Sequence, residues 1–256
     1  MIKQNICDIG FSSVTLREAA EAICQFSGNR QRHLAVPINV DVLMLAKADP
    51  QLSKICDAAD LVVADGMPIV WLSRLIGKSL PERVTGADLL PLVCSVAAEQ
   101  RRSVLFLGGK PGATAEVARQ FRESYPGIKI AGALCPPFGF ERDQILCGQI
   151  VRAVNEAKPD ILFIGLGAPK QEKWLWTYRE KLDFGVALCV GAAFDFSAGF
   201  VKRAPMVFQR TGLEWLWRLI REPRRLWRRY ILRDMAFIGL AARFVWKSKF
   251  FSQGAK

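Results

Sequence analysis

Histidine is almost absent: His33 is the only one in 256 residues. It precedes an apolar run, which suits a structural role, and no His/Asp/Glu cluster for a metal and no DxD motif can be found. Cysteine is present but unpatterned. Cys7, Cys24, Cys56, Cys94, Cys135, Cys147 and Cys189 are scattered, with no CxxC and no histidine at ligand spacing. That argues against a zinc site or a disulfide framework and for reduced core thiols in a cytosolic protein. The N-terminal stretch MIKQNICDIGFSS lacks the apolar core of a signal peptide. Long hydrophobic runs are missing too. MAFIGLAA at 235–242, the candidate in the basic tail, is under half of the ~18–20 residues a spanning helix needs. The expectation is a protein that is neither exported nor threaded through a bilayer. No internal repeat or low-complexity segment is present.

What the chain has is apolar residues, 51% of the total, enough for a sizeable core. Its net charge of +12 is uneven. Residues 1–200 hold 22 basic and 21 acidic side chains, and residues 201–256 hold 14 and 3. Short apolar runs at 33–40, 61–65, 103–109, 128–134, 160–167 and 185–194 read as buried strands. Helical periods separate them, as in VLMLAKADPQLSKICDAA, ATAEVARQFRESY and RDQILCGQIVRAVNEA. This alternation predicts an α/β fold, a parallel sheet with helices on both faces. After about residue 200 the alternation stops, and two or three appended helices are expected. The predicted division is a domain over 1–200 and a basic, aromatic-rich helical appendage over 201–256.

Parallel sheets bind ligands beyond the carboxyl ends of their strands, so the turns there are the places to search. After LVVA comes Asp65, held at a strand tip by Gly66 and Pro68. Its carboxylate can cap the next helix or serve as a general base. Gly108-Gly109-Lys110-Pro111-Gly112 and the loop Gly165–Lys170 each open a helix after a strand. Glycines allow close backbone approach and helix N-termini favour phosphate. Pro169 suits a first helical turn, with Lys170 and Gln171 free to point into the crevice. Neither loop is a Walker A or a GxGxxG sequence, and no acid follows the first at dinucleotide spacing. A nicotinamide-type oxidoreductase is therefore the weaker alternative.

The stretch LEWLWRLIREPRRLWRRY, 213–230, carries six arginines and four large aromatics. Leu213, Leu216, Trp217 and Ile220 recur at helical spacing and predict one face to bury. The apolar continuation YILRDMAFIGLAARFVW suits an interfacial helix at a membrane surface more than nucleic-acid binding. A helix packed on its own domain with a solvated basic face is the plainer reading.

The segments VADGMPIVW, ERVTGADLL, FLGGKPG, GLGAPKQEKW, GAAFDFSAGFVKRAP and LEWLWRLIREPRR together resemble the WecG/TagA/CpsF family, glycosyltransferase family 26, in order and spacing. The resemblance implies a Rossmann-like domain with a C-terminal helical appendage that meets the membrane and completes the active site. It implies inverting, metal-independent transfer from a UDP-sugar to a polyprenyl-diphosphate-linked sugar, giving a β-linkage, by a peripheral enzyme on the cytoplasmic face of the inner membrane. No cofactor is implied, and family members self-associate. By the same resemblance Asp65 is the catalytic base and Gln171 and Asn39 join it. Arg83, Gly86, Asp88, Gly108, Gly109, Gly167, Lys170 and Asp195 fall on the UDP-sugar side, and Arg218, Arg225 and Arg228 on the lipid diphosphate. One departure stands out: where the family reads Thr-x-Asn, this chain has Pro37-Ile38-Asn39, without the hydroxyl. The donor sugar is left open among glucose and N-acetylmannosamine or its uronic acid. A membrane-bound nucleotide-binding scaffold without transfer activity is the non-enzymatic alternative.

Overall fold

The computed structural model describes residues 1–227 and 233–251, with the side chains of residues 210, 225 and 249–251 left aside. The chain opens with a hairpin, β1 (Lys3–Ile6) and β2 (Ile9–Ser12), then α1 (Leu16–Phe26), β3 (His33–Ile38), α2 (Val40–Ala48), α3 (Pro50–Ala58) and β4 (Leu61–Ala64). The middle runs α4 (Met67–Leu75), α5 (Gly86–Glu99), β5 (Ser103–Gly108), α6 (Ala113–Ser124), β6 (Lys129–Leu134), α7 (Gln144–Ala157) and β7 (Ile161–Gly165). Then come α8 (Lys170–Tyr178), β8 (Val186–Cys189), α9 (Ala193–Ser197), α10 (Met206–Arg210), α11 (Glu214–Arg221), α12 (Pro223–Trp227) and α13 (Ala236–Phe251).

Six strands form one parallel sheet in the order β4-β3-β8-β7-β5-β6. Side chains alternate between its faces along each strand. Leu34, Val36 and Ile38, with Leu162 and Ile164, enter one core with α2, α3, α4, α7 and α8. Ala35, Leu61, Val63, Phe106 and Phe163 enter the other, with α1, α5 and α6. Both faces are covered, which explains the nearly unbroken apolar strands. Each fully buried Phe or Leu contributes ~1.5–3 kcal/mol through burial.

The α/β expectation is met, with local differences. The hairpin β1–β2 was not anticipated; its pairing is antiparallel, and Ile6, Ile9 and Phe11 are buried. The predicted helix from 42 to 59 is two helices. Asp49 is extended and caps α3 through Gln51 N and Leu52 N, and Pro50 starts the new helix. The apolar run 185–194 is strand only to Cys189; Gly191 has a positive φ of 57° and turns the chain toward α9. Pro37 is tolerated inside β3 because pairing with β8 covers only His33–Ala35. His33 lies at the opposite end of the sheet from the strand tips. There its Nδ1 is 2.9 Å from Asp60 Oδ1 and its ring stacks on Phe26. All seven cysteines are free thiols, and only Cys135 among them is half-exposed.

Among the described residues no strand follows β8. Helix α13 returns to pack on α2 and α4, with Phe237 buried there, and Arg233 forms an ion pair with buried Asp41 in the first turn of α2. No helix is long and apolar enough to cross a membrane among the described residues.

Candidate active site

The parallel register brings the carboxyl ends of β4, β3, β8, β7 and β5 to one edge, at Ala64, Ile38, Cys189, Gly165 and Gly108. After β5 the chain steps outward to β6, and after β7 it steps the other way to β8. The switch point therefore lies between β5 and β7, and both glycine loops leave from it.

Asp65 follows β4, and its amide donates to Ile38 O at 2.9 Å. It does not cap the helix: the N-cap of α4 is Gly66, and no side chain bonds to that helix start. The carboxyl is left half-buried at the strand tip, and burial pushes its pKa up to about 7. Glu214 and Asp88 push in the same direction, while Arg83 and Arg218 oppose them. A carboxyl balanced this way titrates near neutrality, as a general base should.

Arg83 sits between two acids, with Nη1 3.0 Å from Glu214 Oε2 and Nη2 3.5 Å from Asp88 Oδ2. Arg203 closes the ring. Its Nη1 and Nη2 lie 2.5 and 3.0 Å from the two oxygens of Asp88, and its Nε is 3.4 Å from Glu214 Oε1. Asp88 is further held by Thr85, the N-cap of α5. Two cations and two anions thus alternate, and Asp88 is committed to them rather than open to a ligand. An open cleft of about 280 Å³ adjoins the ring, lined by Met67, Glu82, Arg83, Asp88, Met206 and Gln209. Neither Arg203 nor Glu214 was singled out from the sequence. Both lie within motifs quoted there, but nothing local marks them as partners of a residue more than a hundred positions earlier.

Gly86 begins α5, and a Cβ there would lie 3.1 Å from the backbone of Val190, so this glycine lets the helix rest on the tip of β8. Gly108 has φ +112°, and a Cβ on it would come within 2.5 Å of Gly165 O. Two amides of the first loop are already used: Gly109 N–H by Gly165 O at 2.9 Å, and Lys110 N–H by Asp195 Oδ1 at 2.9 Å. Asp195 therefore braces this loop from α9. In the second loop Gly167 is left-handed and its carbonyl accepts from Gln171 N, while Pro169 caps α8 rather than entering it.

Lys170 is not a free charge, since its Nζ is 2.7 Å from Glu141 and lies over the ring of Phe138. Gln171 is buried: its Oε1 accepts from Gly191 N at 3.1 Å, and its Nε2 donates to Glu172 Oε1 at 2.8 Å. Asn39 caps α2 through Val42 N at 3.0 Å.

Helix α11 meets the expected docking only in part. Glu214 and Arg218, one turn apart, face the core; the Arg218 guanidinium lies 4.9 Å from the ring of Phe196 and near Asp65. Of the apolar set, Leu216 and Trp217 are half-buried, but Ile220 is 64% exposed and Leu213 36%. The helix docks through charge, with Arg83 and Arg203 as partners of Glu214, and its apolar side is only partly covered: Trp217 packs on Phe208 at 5.5 Å while Ile220 faces outward. Met206, Val207, Trp215, Trp227, Ile238 and Trp246 are exposed as well. The side chain of Arg225 and all of Arg228 lie outside what is described. Among the described residues no three His, Cys, Asp or Glu side chains group as a metal site would require.

Comparison with known proteins identifies the family. The family model described as "Glycosyl transferase WecG/TagA/CpsF family" matches residues 4–251. A protein of Bacillus spizizenii named N-acetylglucosaminyldiphosphoundecaprenol N-acetyl-beta-D-mannosaminyltransferase is 34% identical over 196 residues, covering 77% of this chain and 74% of that one. Its namesake in Bacillus subtilis is 31% identical over 194 residues, covering 76% and 73%. By the family model over nearly the whole chain and relatives 34% and 31% identical, the chain belongs to the WecG/TagA/CpsF family of glycosyltransferases.

Proposed function

We propose that the protein transfers a sugar from a UDP-sugar to a sugar carried on undecaprenyl diphosphate, with N-acetylmannosamine as the first donor to test. The relatives' printed names support the acceptor and the donor sugar. The observation that carries the chemistry is Asp65: a half-buried carboxyl, unspent on its helix, with Arg83 and Arg218 beside it.

In this reading Asp65 takes the proton of the acceptor hydroxyl. The freed oxygen bonds to the anomeric carbon from the side opposite the nucleotide, and the bond from that carbon to the phosphate oxygen breaks. The configuration inverts to give a β-linkage, and UDP leaves with the bonding electrons. Its developing charge is met by Arg218 and those amides of the glycine loops not already bonded within the fold, with no metal ion needed. Arg83 is held by two acids and so acts on Asp65 through its charge more than it neutralises phosphate. The outward apolar side of the C-terminal helices suits the cytoplasmic membrane surface where a polyprenyl substrate resides, with the protein peripheral to it.

The test is UDP release from a panel of UDP-sugars in EDTA, with and without a polyprenyl-diphosphate-GlcNAc acceptor in detergent. Release that requires one donor and the acceptor, and survives EDTA, is expected. No release from any donor, with vesicle binding intact, would overturn transfer in favour of a membrane-bound nucleotide scaffold.

A further inference from the structure

One buried carboxyl in the core is not used by the mechanism above. Glu172 sits on the buried side of α8 with Trp174 and Leu175 and is completely inaccessible to solvent. A leucine or methionine would fill that place without the penalty of burying a carboxyl. Among described side chains Glu172 makes one hydrogen bond, Oε1 to the Nε2 of Gln171, and its Oε2 is buried with no partner. No cation faces it. Asp41 of α2 is nearby, as are the thiols of Cys56 on α3 and Cys189 on β8, so burial and like charge both favour its neutral form.

The geometry at Gln171 shows what that one bond decides. A backbone N–H only donates, so the Gln171 atom 3.1 Å from Gly191 N must be the oxygen. The amide nitrogen then has to point at Glu172, and only an acceptor there permits it. A flipped amide would set N–H against N–H at Gly191. That glycine is where β8 turns into the floor of the crevice: its carbonyl would lie 2.8 Å from a Cβ on Gly165, and α9 follows with Asp195 bracing Lys110 and Phe196 beneath Arg218.

We propose that Glu172 is a positioning residue for sugar transfer: by accepting the Gln171 Nε2–H it fixes the amide that pins Gly191, and with it the loop carrying Asp195 and Phe196. The proposal rests on the transfer reading, and its failure is separable from that one. A wild-type enzyme inactive on every donor defeats the transfer reading. An active wild type whose Glu172 variants are normal defeats only this one.

The experiment is a double-mutant cycle on the full chain, with steady-state transfer as readout. Glu172→Met, which fills the space but accepts nothing, should lose roughly 10- to 100-fold in kcat, the effect of one misplaced buried hydrogen bond. Glu172→Gln keeps an acceptor oxygen and should stay within about threefold of wild type. Gln171→Met should lose as much as Glu172→Met, and the double variant no more than either, because the two act as one unit. A merely structural Glu172 would give losses that multiply, or none in kcat. Either result overturns the proposal, as does a Glu172→Gln enzyme as impaired as Glu172→Met. Should Glu172→Met not fold, Glu172→Asp, one methylene too short to reach, takes its place in the same cycle with the same expectations.

Discussion

Glu214 reaches from the C-terminal helix α11 to Arg83 of the sheet domain, with Oε2 3.0 Å from Nη1 at 18% and 16% side-chain exposure. The contact ties the docking of that helix to the electrostatics of Asp65, because Glu214 raises the pKa of the carboxyl while Arg83 and Arg218 lower it. Docking and basicity are thus one arrangement.

Replacing Asp65 with Asn should lower kcat by ~10²–10⁴-fold, the usual contribution of a general base, with donor binding retained. The same change should raise thermal stability at pH 8. The carboxyl's pKa rises from 3.8 to about 7 on folding, so the folded state holds the proton more tightly. Stability therefore falls as pH climbs between those values. The Tm gain of Asp65→Asn should shrink toward zero as pH approaches 4. Near-normal turnover in this variant would remove Asp65 from the mechanism.

Glu214→Gln deletes the negative charge beside the base and leaves Arg83 and Arg218 less opposed. The acid limb of the kcat/KM profile should move to lower pH than in wild type, with reduced activity above it. A limb that stays in place would separate α11 from the tuning of Asp65.

Arg203→Met should cost about 1–3 kcal/mol of stability, because Asp88 loses its closest cation while only 26% exposed. Denaturant melts report this directly. An unchanged midpoint would mean that Arg83 and Thr85 hold Asp88 without it.

Gly108→Ala places a methyl 2.5 Å from Gly165 O at φ +112°. It should destabilise by about 1–3 kcal/mol, the range for such strained backbone, and weaken donor binding through the displaced loop. Calorimetry with and without UDP reads both effects.

Ile220→Ser removes one of the outward apolar side chains of α11, 64% exposed. Sedimentation with vesicles of bacterial lipid composition should show binding weakened by roughly tenfold, the effect of one large apolar side chain. Binding of UDP-sugar in the absence of lipid should not change. Equal binding by both proteins would place the membrane-facing surface elsewhere.

The sequence by itself determined the sheet and where its chemistry had to be sought. Unbroken runs such as LVVA and DILFIG have period and length for strands buried on both faces, and glycine, proline and aspartate after them mark turns at the carboxyl edge. Those are local properties, and local properties survive in a string of letters. Only tertiary structure decided which groups meet there. Asp88, Arg203 and Glu214 form one ring although they are far apart in the chain, and Gln171 faces Gly191 because β7 and β8 pair side by side. The helical spacing of Leu213, Leu216, Trp217 and Ile220 correctly marks an apolar side, but spacing carries no information about which side docks. The ion-pair partners waiting on the sheet domain turned the Glu214 and Arg218 side inward and left Ile220 facing out.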